Sequence, residues 1–343
     1  MKRIKIAQIG AGHDHAPAAI QTLKLLDKAG IYELVGYCVV PEDSGNIPAN
    51  SYEANKDSYK DIKQMSLEEI LSYKDLDAVC IETEDRALTK YAIMAAEKGL
   101  HIQMDKPGGV DDDEFDRLID TVESKKLVFH TGYMYRYNPA VLKLKQDIAE
   151  GKLGDILSVE AQMNCMHGIE KRNWLGNYPG GMLYYLGCHM VDLVYSIMGD
   201  PEEIIPLSCS SGLEGTDAKD FGMAVFKYKN GVSVAKSTAV EDGGYERRHL
   251  LVVGTKGTVE LRPIETGAES TEIFNAQKTT VRENFSEAFT SKAECYETEV
   301  FGRFDGMFRA FADYINGVRS NPYTYEYERK LHKVLLKACG EKV

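Results

Sequence analysis

The sequence predicts an α/β domain built on a parallel sheet, followed by an α+β domain with a large, mostly antiparallel open sheet. Three observations lead there. From Ile4 to Thr131, short apolar runs alternate with amphipathic helical patterns, as strands joined by crossover helices do. Beyond Gly132, strand-like runs follow one another across tight turns at Lys229-Asn230-Gly231 and Thr255-Lys256-Gly257. At 343 residues the chain is too long for one ordinary core, so two domains are expected, 1–127 and 128–343.

The elements follow in order. Ile4 to Ile9 reads as a buried strand, with a glycine turn at Gly10-Ala11-Gly12 and a helix to about Ala29. Glu33 to Val40 is a second strand. Ser66 with Glu69 forms a capping box that opens a helix. Asp77 to Ile81 is a strand, and Arg86 to Lys98 a helix that Gly99 ends. His101 to Met104 is a strand, Asp111 to Lys125 a helix, and Leu127 to Thr131 a strand. The acidic run Asp111 to Glu114 favours the positive end of its helix and is read as a solvated first turn. In the second half come a helix from Asn138 to Glu150, a long strand from Asp155 to about Met166, and a helix carrying His189 that ends near Gly199. Strands then run from Glu202 to Arg262, and helical patterns around Phe304–Val318 and Glu326–Ala338 close the chain.

Composition narrows the function. A formal net charge of −12 opposes binding to nucleic acid or to an anionic membrane surface. No apolar run approaches the length of a membrane span, and the basic start runs straight into a strand instead of a signal-peptide core. The seven cysteines form no paired metal or redox motif, and several lie in apolar strands. They read as reduced, buried thiols of a cytoplasmic protein. Cys188 beside His189 is not read as a nucleophile, because adjacent residues on a helix point apart.

The chemistry-bearing residues cluster in three places. Gly10 and Gly12 follow a strand and open a helix, where backbone N–H groups can hold a pyrophosphate. His15 stands where a third glycine would allow close helix packing. His13, Asp14 and His15 resemble metal ligands in type, but no further ligand stands at a recognisable spacing, so no metal is expected. Glu42 or Asp43, after the second strand, is the candidate acid for ribose hydroxyls, with Thr83 at the end of the third strand. No Arg or Lys lies between Glu33 and Asn55, which favours NAD over NADP without excluding the latter. Lys106, in Asp105-Lys106-Pro107, lies at the carboxyl end of a strand and could stabilise a developing alkoxide. Tyr185, His189 and Asp192 have the spacing of one helix face behind the pair Gly180-Gly181, and a titratable imidazole there suits proton transfer.

The order of these motifs, with Gly132 to Pro139, Lys152 to Ile156 and Val253 to Glu260, resembles the Gfo/Idh/MocA oxidoreductases. The resemblance spans nearly the whole chain. It implies a Rossmann dinucleotide-binding domain, then a domain whose sheet makes homo-oligomer contacts, a dimer or a tetramer. The family's Glu-Lys-Pro motif maps to Asp105-Lys106-Pro107, with a cis bond before the proline. Its catalytic histidine maps to His189. Its usual aspartate four residues earlier is replaced by Tyr185, and Thr83-Glu84-Asp85-Arg86 stands where relatives often carry Thr-Pro-Asn-His.

The implied activity is a dehydrogenase that passes hydride between a nicotinamide cofactor and a hydroxyl of a sugar, inositol or related polyol. His189 takes the hydroxyl proton, Lys106 lowers the cost of the alkoxide, and Tyr185 relays or donates a proton. Arg136, Tyr137, Asn164, His167, Trp174 and Asp192 are the candidate polyol contacts, offering donors for hydroxyls and aromatic faces for sugar carbons. Two other readings share the cofactor: an elimination-type glycosidase that oxidises transiently, and a dinucleotide-binding sensor with weak catalysis.

Overall fold

In the computed structural model, residues 2–45, 51–265, 276–280, 293–296 and 301–343 are described. Two units emerge: Met1–Tyr133 with Phe304–Lys333, and Met134–Arg303 with Val334–Val343. The contiguous division 1–127 and 128–343 expected from the sequence differs from these units at the C-terminal end. A helical pattern reveals an apolar face but not which sheet it covers.

The first unit is built on five parallel strands: β1 (Ile4–Ile9), β2 (Tyr32–Cys38), β3 (Ala78–Ile81), β4 (His101–Met104) and β5 (Phe129–Thr131). Their spatial order is β2-β1-β3-β4-β5. Helices α1 (Ala16–Lys28), α2 (Tyr52–Asn55), α3 (Leu67–Leu71), α4 (Leu88–Glu97) and α5 (Asp112–Ser124) belong to this unit. Ser66 and Glu69 form the expected capping box on α3, and Asp111 caps α5 by accepting from the Glu114 N–H. Val79, Ile81, Ile102 and Met104 meet Ala92, Ala96, Leu118 and Ile119 in one apolar core, which fixes the strand ends that carry the polar residues. The strand order reverses between β1 and β3, so ligand chemistry is expected at the carboxyl ends of those two strands.

The second unit carries α6 (Pro139–Ala149), α7 (Ile169–Trp174), α8 (Met182–Tyr185) and α9 (Cys188–Met198). Its strands are β6 (Ile156–Gln162), β7 (Glu203–Pro206), β8 (Phe221–Tyr228), β9 (Gly231–Thr238), β10 (His249–Gly254), β11 (Gly257–Leu261), β12 (Ala276–Thr280) and β13 (Ala293–Tyr296). They form one sheet in the order β13-β12-β11-β10-β6-β9-β8-β7. Every pairing is antiparallel except that of β6 with β9. The β8–β9 hairpin closes from Tyr228 to Gly231 and the β10–β11 hairpin from Gly254 to Gly257, at the two turns read from the sequence. Strands β12 and β13 lie beyond Arg262, where the sequence reading stopped. Two further helices, α10 (Asp305–Ile315) and α11 (Tyr325–Ala338), close the chain. In the first unit, Tyr32 Oη donates to the Phe308 carbonyl at 2.6 Å and the Phe115 ring stacks on His332 at 4.1 Å.

Candidate active site

The glycine turn leaves β1 at Ile9. Gly10 has φ +88°, and a side chain there would meet Thr83 at 2.6 Å. A Cβ on Gly12 would meet Asp43 at 2.6 Å. The turn is thus wedged between the ends of β2 and β3, and only glycine fits. Helix α1 follows with no side-chain cap and Pro17 in its first turn. A phosphate is suited to such an uncapped helix start. By topology and by this tight backbone turn, the residues present fit a dinucleotide.

The side chains around the turn depart from the sequence reading. Glu42, one of the two candidate ribose acids, faces helix α4: its carboxylate takes Lys90 Nζ and the Tyr91 hydroxyl, each at 2.5 Å. Burial opposes its charge, but these two partners hold its pKa below the usual range. Asp43 is the acid at the turn, accepting from Ala11 N and Val40 N at 2.9 Å and from the Thr83 hydroxyl at 2.7 Å. Adjacent residues in the short 3₁₀ turn Pro41–Gly45 point apart, and the sequence could not say which faces the glycines.

His13 is fully buried. Four carboxyl groups surround its ring: Asp14 and Asp105 at 3.3 Å, Asp85 at 3.4 Å and Glu82 at 3.9 Å. Burial disfavours the imidazolium, yet Asp105 and Asp85 outweigh it and raise the His13 pKa. For Asp105 burial again opposes the charge, but His13, His15 and Lys106 hold the carboxyl well below its usual range. Glu82 goes the other way: burial, then the neighbouring Asp105, push its pKa well up. His15 Nδ1 lies 3.0 Å from Asp105 Oδ2. Asp105 therefore supplies a third ligand-type group to His13 and His15, which the sequence spacing did not reveal. Lys106 is buried, the Lys106–Pro107 bond is cis, and the Lys106 N–H donates to Asp105 Oδ1 at 2.6 Å.

In the second unit, Gly181 starts α8 with φ +56°, and a Cβ there would strike the Lys219 carbonyl at 2.2 Å. The helix expected to carry Tyr185, His189 and Asp192 is broken. α8 ends at Tyr185, and α9 restarts at Cys188. Gly187 lies at the break, where a side chain would meet Leu183 and Ser237 within 3 Å. The one-face spacing therefore does not apply across it. Tyr185 packs its ring edge-on to Trp174 at 5.2 Å, with Lys171 Nζ 4.1 Å above it. His189 is buried and lies edge-on to Tyr135 at 5.4 Å. Burial, then Glu265, raise the Tyr135 phenol pKa well above its usual value.

Several expected substrate contacts hold the fold together. Arg136 and Asp192 form a buried bidentate pair, with Nη2 to Oδ1 at 2.8 Å and Nε to both carboxylate oxygens at 3.1 Å. Both were expected on substrate hydroxyls, and here each engages the other. Asn164 is likewise occupied: its amide donates to Glu241 at 2.6 Å and accepts from Thr238 N at 3.1 Å, tying the end of β6 to β9. Tyr137 is buried and His167 half-buried, with His167 Nε2 3.3 Å from Cys165 Sγ. Trp174 is buried beneath Lys171 Nζ at 3.9 Å. Sequence reasoning named Asp43 as one of two candidate acids but missed Glu82, Asp85, Tyr135 and Lys171. Glu82 and Asp85 follow β3 directly, and position after a strand was the one available signal.

Residues 4–133 match the model of an oxidoreductase family with an NAD-binding Rossmann fold, and residues 141–260 match the GFO/IDH/MocA C-terminal domain. D-xylose 1-dehydrogenase (NADP(+)) 2 of Haloferax volcanii is 24% identical over 247 residues, 68% of this chain and 74% of that protein. Inositol 2-dehydrogenase 2 of Saccharopolyspora erythraea is 24% identical over 203 residues, 56% of each chain. Levoglucosan dehydrogenase, solved with NADH and levoglucosan, superposes with a TM-score of 0.78 at 17% identity, covering 99% of this chain and 98% of that one. UDP-N-acetylglucosamine 3-dehydrogenase from Acidithiobacillus ferrooxidans gives 0.75 at 18% identity, over 98% and 97%. With family domains matched in the same order along the sequence, and with the parallel sheet, glycine turn and Asp105-Lys106-Pro107 in place, the chain belongs to the GFO/IDH/MocA oxidoreductase family.

Proposed function

We propose that this protein is an NAD(H)-linked dehydrogenase acting on a hydroxyl of a sugar, inositol or related polyol. The observation that carries the reading is Lys106: a buried lysine on a cis-proline turn at the carboxyl end of β4, in a Rossmann sheet. Gly10, Gly12, Thr83 and the backbone at His13 and His15 hold the dinucleotide in this reading, with Asp43 rather than Glu42 as the nearer acid. When bound, the nicotinamide supplies the hydride acceptor. Lys106 donates a hydrogen bond to the substrate oxygen and stabilises its developing negative charge. His189 accepts the hydroxyl proton. The Tyr185 hydroxyl donates a hydrogen bond during that transfer. Trp174, Tyr137 and His167 offer ring faces and a polar edge to the polyol.

The relatives support the substrate class, since two are named for xylose and inositol and one was solved with levoglucosan. NAD is preferred over NADP because no Arg or Lys lies between Glu33 and Asn55 to meet a 2′-phosphate. Homo-oligomer contacts are assigned to the eight-stranded sheet, where Ile205 and Val232 are exposed. A reducing, cytoplasmic setting is supported by six free cysteines among the described residues. No helix among the described residues is long and apolar enough to cross a membrane. The test is NADH absorbance with a panel of pentoses, inositols and anhydrosugars. Steady NADH formation with one of them is expected. Tight NADH binding with no turnover across the panel would overturn the reading in favour of a binding protein.

A further inference from the structure

The crowding around His13 has no role in the hydride chemistry. His13 and His15 precede α1, and Asp105 follows β4, some ninety positions later. Their nitrogen and oxygen atoms all lie within 4.8 Å of one another. Asp105 Oδ2 is 3.0 Å from His15 Nδ1 and 3.3 Å from His13 Nδ1. A cation with metal–nitrogen and metal–oxygen bonds of about 2.0–2.2 Å holds its ligands roughly 3.0–3.5 Å apart. Both separations from Asp105 fall in that interval.

The surroundings of the trio suit a cation as well. The second ring nitrogen of His13, Nε2, faces Asp85 Oδ1 at 3.4 Å, the arrangement by which a carboxylate orients a metal-bound imidazole. Asp85 is itself buried. Asp14 and Glu82 add two more carboxyl groups within 4 Å of His13. His15 and Lys106 already stand beside Asp105, and a cation would add positive charge where these acids crowd one buried ring. The side chain of His15 is 16% exposed, which gives an entry path to an otherwise closed cluster. The His15 N–H also points at His13 Nδ1 at 3.1 Å, and this is the contact a cation would displace.

We propose that His13, His15 and Asp105 bind one divalent transition-metal cation of the Zn2+ or Co2+ type, with Asp85 positioning His13 from behind. Two imidazoles and one carboxylate favour such ions over Mg2+ and Ca2+, which prefer oxygen donors. Three protein ligands leave at least one position for water or an anion. The cation site shares the turn at His13 and His15 with the proposed dinucleotide site, but its test uses neither dinucleotide nor polyol, so the two readings stand or fall separately.

The experiment strips the full chain with a chelator and titrates Zn2+ against a chromophoric competitor. One Zn2+ per chain is expected. His15→Ala and Asp105→Asn should each weaken it by about 100-fold or more, beyond the usual loss for a positioning residue. His249→Ala, on β10, should leave it unchanged. Cooperative thermal unfolding of the metal-free variants checks that they fold. X-ray absorption of the Zn2+-loaded wild type should show two imidazoles, and it needs no variant. Fewer than two imidazoles around the metal, or variants that bind as tightly as wild type, would overturn the proposal and leave the trio as a hydrogen-bonded network of its own.

Discussion

The polar residues of the two units are satisfied in different ways. In the second unit buried charges are paired by geometry: Arg136 with Asp192, Arg172 with Asp220, and Glu265 with Arg248 and Arg303. In the first unit the turn after β1 crowds four carboxyl groups within 4 Å of one imidazole, with His15 and Lys106 as the other positive groups beside Asp105. Paired charges of the first kind hold a scaffold in place. Crowded ones of the second kind are costly unless a ligand joins them, because burial disfavours every uncompensated charge. Buried polarity is therefore a weak guide to function until its partners are counted.

The largest effect expected concerns Lys106 and His189, one from each unit. Lys106→Ala and His189→Ala should each lower kcat/KM for polyol oxidation by roughly 10²–10⁴-fold, the usual range for a lost acid–base or electrostatic group. Steady-state NADH formation measures it. If either variant retains activity within a few-fold, the assignment of the reacting groups is wrong in that unit.

Asp192→Ala separates scaffold from site. It leaves Arg136 buried and charged, so a loss of about 3–5 kcal/mol in folding stability is expected, read by urea or thermal denaturation. If Asp192 instead serves the substrate, KM rises while stability barely moves.

How much of this was legible beforehand follows the same division. The parallel sheet, the two hairpins, the capping box at Ser66 and the Lys106 turn follow from local pattern, because strand alternation, glycine and proline act on their immediate neighbours. Pairings across long sequence distances are not local. Nothing near Asp192 announces Arg136, and nothing near His15 announces Asp105. The break between Tyr185 and Cys188 was hidden for a related reason. Gly187 looks helix-compatible in the sequence, and its close approach to Leu183 and to Ser237 on β9 is not a local signal. The C-terminal helices carried a clear period but no label for the sheet they cover.

Tyr185 tests that break at smaller amplitude. Tyr185→Phe keeps the ring that packs on Trp174 and under Lys171, so the melting temperature should hold. If the hydroxyl donates during proton transfer, kcat falls about tenfold and the alkaline limb of the pH profile shifts. An unchanged kcat would reduce Tyr185 to packing and leave His189 to act with other groups.

The smallest effect comes from Lys145, half-buried near the Arg136–Asp192 pair. Burial lowers its pKa to about 8; Asp192 pulls it back up and Arg136 adds to the lowering. In the unfolded chain a lysine titrates near about 10.4. Below pH 8 both states bind the proton, and the folded state bears the whole cost of the buried charge. Between about pH 8 and pH 10.4 the unfolded chain binds more protons, so stability rises with pH. Above that range both states are neutral and the cost is gone. Lys145→Met should therefore stabilise the protein at pH 7, by about 1 kcal/mol once solvent screening is allowed for, and its advantage should fade as the pH passes 10. Denaturation midpoints of the two proteins across that interval measure it. A Met variant that is less stable at pH 7 would mean that Asp192 gains more from Lys145 than burial costs, and that the pair with Arg136 is the core of a three-member charge network.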